Sequence, residues 1–104
     1  MENVKERFLR YIKIDTQSCD GVEQFPSTQK QLDLARLLEK ELREMGASDV
    51  TLDKNGYLFA TIPANTDREV PTVGFISHMD TAPAYSGKGV NPEFASNYVR
   101  GVLV

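Results

Sequence analysis

Apolar residues fall at helical spacing twice in the first half of the chain, then give way to strand-like alternation. Val4, Phe8, Tyr11 and Ile12 recur at i, i+4, i+7 and i+8, with Lys5, Glu6, Arg7 and Arg10 filling the remaining positions. That spacing is one face of a helix. It predicts a first helix over Asn3–Ile14, with Asn3 as N-cap and Glu6 three positions later as its capping-box partner, fading toward Asp15-Thr16-Gln17-Ser18. Ser18 to Pro26, with Asp20-Gly21 and a proline, reads as a loop. A second stripe of Leu34, Ala35, Leu38, Leu42 and Met45 predicts a helix capped by Ser27 or Thr28, with Gln31 at N3 relative to Thr28, and stopped by Gly46 at C′. Glu39 and Arg43 lie i, i+4 in the favourable order, so its charged face is a solvated surface.

The alternation in Asp49-Val50-Thr51-Leu52-Asp53, the pair Asn55-Gly56, and the run Tyr57–Ile62 predict a hairpin in which Asn55-Gly56 supplies the φ > 0 turn positions. Pro63 to Val70 is a polar connection. It releases the chain into an apolar, β-favouring run from Thr72 to Ser77, expected to form a third strand beside the hairpin. After Pro83, the punctuation of Gly87, Gly89 and Pro92 predicts a loop. The expected fold class is therefore α/β: three layers, with two amphipathic helices on a small mixed sheet.

Length and composition narrow the possibilities further. A chain of 104 residues is at most one domain, small for a hydrolase that needs many converging groups. Hydrophobic residues at 40% and charged residues at 26% belong to an ordinary globular chain and argue against disorder or a membrane protein. A net charge of −3 without a Lys/Arg cluster gives no electrostatic footprint for nucleic acid or an anionic membrane. The start, Met1-Glu2-Asn3-Val4-Lys5-Glu6, lacks the basic and apolar regions of a secretory signal. The single cysteine, Cys19, has no internal disulfide partner, so a reducing cytoplasm is the expected location.

Candidate chemistry sits where the apolar run ends, at Ser77-His78-Met79-Asp80-Thr81. A buried strand delivers polar side chains to a site at its carboxyl end in this way. In an extended segment His78, the sole histidine, and Asp80 share a face while Ser77 points away. Imidazole beside carboxylate can be a zinc ligand with the group that orients it. It can equally be a histidine hydrogen-bonded at a strand end with no further role, since three-residue motifs recur by accident. Ser77 does not make a catalytic triad with His78, because adjacent strand residues face opposite ways and no Gly-x-Ser-x-Gly elbow is present. A Cys19–His78 pair would require folding to bring two distant loops together. Gly87-Lys88-Gly89 lacks both the spacing and the Ser/Thr ending of a phosphate-binding loop.

At full width, Gly74-Phe75-Ile76-Ser77-His78-Met79-Asp80-Thr81-Ala82-Pro83 with Ser86-Gly87-Lys88-Gly89-Val90-Asn91-Pro92 closely resembles the two-zinc, carboxypeptidase-like metallopeptidase family, and within it the tripeptide aminopeptidases. Phe8-Leu9-Arg10-Tyr11, Pro26-Ser27-Thr28 and Asn55-Gly56-Tyr57 share the resemblance, which covers roughly residues 1–98. It implies that His78 is a ligand of one of two zinc ions and that Asp80 is the accompanying active-site carboxylate. It also implies a metal-dependent release of the amino-terminal residue from short peptides. The family's bridging carboxylate, general-base glutamate and remaining zinc ligands lie further along a much longer chain. Asn97-Tyr98 leads here into Val99–Val104, where the family pattern departs. The stretch is thus expected to be the amino-terminal part of a zinc-peptidase catalytic domain. The alternative is a non-enzymatic α/β fragment or interaction module. Either way, apolar surface left uncovered would favour self-association.

Overall fold

The computed structural model describes residues 2–102; Met1, and the Leu103 and Val104 end of the expected departure, lie outside the described residues. Four elements form in chain order: α1 (Val4–Tyr11), α2 (Gln31–Glu44), β1 (Ser48–Leu52) and β2 (Leu58–Thr61). The fold is α/β, with two helices and a two-stranded antiparallel sheet.

Local chemistry accounts for most element ends. The Asn3 side chain accepts from the Glu6 amide at 2.9 Å while Glu6 accepts from the Asn3 amide at 3.0 Å, completing the capping box. Helix α1 stops earlier than its apolar stripe, with Ile12 as C-cap. At the end of α2, Gly46 adopts φ +82°, its amide donates to Arg43 O at 3.0 Å, and the Ala47 amide donates to Leu42 O at 3.0 Å. This is a Schellman termination, which needs a left-handed residue at that position. Arg43 pairs with Glu39 at 2.7 Å as its spacing predicts, and also donates to Val50 O at 2.8 Å, tying α2 to β1.

The start of α2 differs from expectation. Neither Ser27 nor Thr28 caps it; residues 28–30 form a tighter turn in which the Gln31 amide reaches Thr28 O and the Leu32 amide reaches Gln29 O. The Thr28 hydroxyl is engaged elsewhere, donating to Gln17 O at 2.7 Å and accepting from the Gln31 side-chain amide at 3.0 Å. The hairpin also closes differently. Only Gly56, not Asn55, takes positive φ, at +88°. The Gly56 amide donates to Asp53 O, and the Asp53 carboxylate accepts from the Asn55 and Tyr57 amides at 2.9 Å, so an Asp-organised turn with one left-handed glycine replaces the two-residue connection. In β1, Asp49 adopts φ +51° within a register shift between Ser48 and Thr51, a bulge that an aspartate tolerates better than most residues.

The core is small and centred on one helix face. Leu34 (8% exposed), Ala35 (0%) and Val50 (6%) are its buried apolar residues, formed where α2 lies against β1 and the hairpin. Leu38 and Leu42 of the predicted stripe are half-buried, and Met45 is exposed. Helix α1 does not join α2 on the sheet: it buries no residue, and Val4 and Phe8 face solvent. Its tie to α2 is polar instead. Arg10 and the Tyr11 hydroxyl both donate to the buried Glu41 carboxylate, and Arg10 also pairs with Glu2.

This clamp carries a pH dependence. Burial pushes the Glu41 carboxyl up, but hydrogen bonds from Tyr11 and Arg10 outweigh that and hold it below its ordinary 4.5. A carboxylate with a depressed folded-state pKa contributes stability above its unfolded pKa and loses it as pH falls through the folded one. Acidification below about pH 4.5 should therefore release α1 from α2. Glu41→Gln should remove that acid-sensitive component when helix signal is followed against pH; an unchanged acid profile in the variant would refute the clamp.

The expected third strand does not form. Residues 72–78 belong to no strand, and Val73 (71% exposed), Phe75 (96%) and Ile76 (101%) lie in solvent. The mixed sheet and the three-layer arrangement are corrected accordingly: the sheet is purely antiparallel and two-stranded among the described residues. A β-favouring run becomes a strand only when a neighbour completes its hydrogen-bond ladder, and no described residue offers one here. The Cα radius of gyration, 17.1 Å, exceeds the roughly 13 Å of a compact chain of this length. A bare apolar run of this kind invites pairing with another chain. Sedimentation velocity should reveal concentration-dependent association; a single monomer boundary at high concentration would count against it.

Candidate active site

His78 and Asp80 meet without a strand to align them. The His78 Nδ1 lies 2.9 Å from the Asp80 carbonyl oxygen and 3.0 Å from its Oδ1. Both neighbours are acceptors, so the proton belongs on Nδ1, which donates to the pair, and Nε2 keeps its lone pair. The His78 side chain is 83% exposed, with that nitrogen available to a ligand. An imidazole oriented by a carboxylate, with its second nitrogen free, is the donor arrangement found at metal-bound histidines.

Immediately beyond Asp80 the chain is pinned. The Thr81 amide donates to Thr16 O at 3.2 Å and the Ser18 amide donates to Thr81 O at 3.0 Å, a single parallel bridge centred on Gln17 and Thr81. The Ser18 hydroxyl adds a bond to the same carbonyl at 2.9 Å. The chain after α1 therefore meets the segment just beyond Asp80, through Thr16, Gln17 and Ser18. Sequence reasoning singled out none of these three; the only signal was the polar run Asp15-Thr16-Gln17-Ser18 between two apolar stripes.

None of the other candidates is hydrogen-bonded to the His78 ring. Cys19 is an exposed free thiol whose Sγ donates to Asp20 O, and no hydrogen bond joins it or Ser77 to the imidazole. The Asp15 carboxyl is held below its ordinary range by the hydrogen bond from Lys30 at 2.9 Å and then by the Gln17 amide. Among the described residues no group of three or more His, Cys, Asp or Glu side chains is arranged to hold a metal ion. A catalytic zinc takes three protein ligands as a rule. His78 supplies one, and Asp80 Oδ1 is occupied by the imidazole. These residues alone do not make a zinc centre, although His78 fits a single position in one. No helix among the described residues is long and apolar enough to cross a membrane.

No protein-family model matches the chain. Curated proteins do. Peptidase T of Geobacillus thermodenitrificans is 54% identical over 99 residues, covering 95% of this chain and 24% of that protein. Peptidase T of Clostridium acetobutylicum is 55% identical over 98 residues, 94% of this chain and 24% of its own. Peptidase T of Salmonella newport is 52% identical over 101 residues, 97% of this chain and 25% of its own. Over nearly its whole length, then, the chain is a relative of the proteins named peptidase T, and it spans about a quarter of theirs.

Proposed function

We propose that this chain contributes the His78 limb of a metal-dependent aminopeptidase that releases the amino-terminal residue from tripeptides. The observation that carries the reading is the His78–Asp80 pair, in which a carboxylate holds Nδ1 and leaves Nε2 free and exposed. The similarity to peptidases over 94% or more of the chain supports it. In this reading His78 Nε2 ligates one of two zinc ions, Asp80 fixes the tautomer and orientation of the ring, and residues outside this chain complete the centre. When bound, zinc would polarise the scissile carbonyl and lower the pKa of a water molecule. The part that these residues play is to present one lone pair in a fixed direction and keep the ring proton away from it. An exposed thiol at Cys19 suits a reducing, cytoplasmic setting.

The test joins this chain to the portion of the Clostridium acetobutylicum relative that it does not cover. The joined protein should hydrolyse tripeptides from the amino end, lose activity to a chelator and regain it with zinc. A folded joined protein that turns over no peptide with zinc present would favour the non-enzymatic reading.

A further inference from the structure

We infer that Gln17 is a positioning residue, whose side chain holds the Pro83–Tyr85 turn just past Thr81 and thereby the direction of the His78 ring. The inference rests on His78 and Asp80 being the site residues. Its basis is a chain of bonds that runs from the start of α2 to this turn. Lys30, directly before α2, pairs with Asp15 at 2.9 Å, and Asp15 Oδ1 accepts from the Gln17 amide at 3.1 Å. Thr28 fixes the Gln17 carbonyl at 2.7 Å. With its backbone held on both sides, Gln17 directs its side-chain amide onto two carbonyls of that turn, Pro83 O at 2.9 Å and Tyr85 O at 2.8 Å. The Thr81 peptide is meanwhile held by Thr16 and Ser18.

Two further features show how closely the parts fit. Thr16 is buried, and so is Gly87, where an added Cβ would lie 2.7 Å from Asp15 Oδ1 and 3.1 Å from Thr81 Oγ1. A side chain at position 87 would thus displace the carboxylate that anchors Gln17. Among the described residues, the backbone hydrogen bonds joining residues 62–102 to the rest of the chain run through Thr81 alone. His78 lies three residues before this point, in a segment without strand pairing. Its place relative to the helices is therefore set at Thr81, and the bend that follows Thr81 is set by Gln17.

The test uses this chain at one fixed pH, compares Gln17→Ala with Gln17→Glu, and needs no peptidase activity. Glutamate fills the same space but offers the two carbonyls no donor. Both variants should exchange the Thr81 amide proton at least about tenfold faster, as expected for loss of two hydrogen bonds, while amides of α2 stay protected. The nitrogen-15 signals of the single histidine ring should also shift, because the Nδ1 bond to Asp80 is no longer held. Faster exchange with unchanged ring signals would reduce Gln17 to a loop staple and overturn the inference, as would unchanged exchange at Thr81. Should Gln17→Ala fail to fold, the isosteric Gln17→Glu decides alone. In the joined protein, an inactive wild type would defeat the peptidase reading yet leave both readouts intact.

Discussion

In the joined protein, His78→Ala should lower tripeptide turnover at least about a hundredfold, since losing even an outer partner of a metal ligand costs 10- to 100-fold. The 104-residue chain by itself should give no zinc-dependent turnover at all. The reason is coordination arithmetic. One imidazole is present, the carboxylate beside it is bound to that imidazole, and no third donor converges among the described residues. The Asp15 carboxylate is committed to Lys30 and the Gln17 amide. A zinc ion held by a single ring nitrogen would be exchanged too readily to support hydrolysis. Turnover should be assayed on a tripeptide with excess zinc, with the chain, the joined protein and its His78→Ala form side by side. Turnover by the 104-residue chain that disappears on His78→Ala would overturn this expectation. Asp80→Ala should fall between wild type and His78→Ala, because it loosens the ring without removing the lone pair.

Leu34→Ala should cost about 2 to 5 kcal/mol, the range for large-to-small changes in a core. Here that is a large part of the whole. The buried apolar set consists of Leu34, Ala35 and Val50, so one leucine is a large share of what α2 and β1 bury together. Total stability in a chain with so little core lies at the lower end of the usual scale. Urea denaturation followed by far-ultraviolet circular dichroism provides the measurement. Leu38→Ala is the comparison, since Leu38 is half-buried and should lose only about half of a full leucine burial, about 1 kcal/mol. Equal losses at the two positions would mean that the helix is rotated relative to the sheet from the orientation described.

Much of the local structure was written in short stretches of sequence. The Asn3–Glu6 capping box, the Gly46 termination, the Glu39–Arg43 pair and the existence of a hairpin about Gly56 each depend on residues within a few positions of one another. Interactions of that range are fixed by backbone geometry and need no knowledge of the rest of the molecule. His78 and Asp80 belong in the same class. Two residues apart, they were placed together by an argument from strand alternation, and they do meet, although the strand is absent. A direct bond between near neighbours joins them.

What only tertiary structure decided is what each stretch lies against. The stripe of Val4, Phe8, Tyr11 and Ile12 marked a helix correctly, but periodicity does not name the surface it faces: Val4 and Phe8 lie in solvent, and α1 is tied to α2 by hydrogen bonds from Arg10 and the stripe's own Tyr11 to Glu41. Thr28 has the right chemistry for an N-cap, yet a carbonyl eleven residues earlier in sequence takes its hydroxyl. Val73 to Ile76 has the composition of a strand, but a strand requires a partner ladder, which is a property of two segments and not of one. The tether of Gln17 to Pro83 and Tyr85 spans more than sixty residues between two stretches that read only as polar loops. Hydrogen bonds between irregular segments leave no periodic trace, so the contact that positions the candidate site became legible only when the fold brought its two ends together.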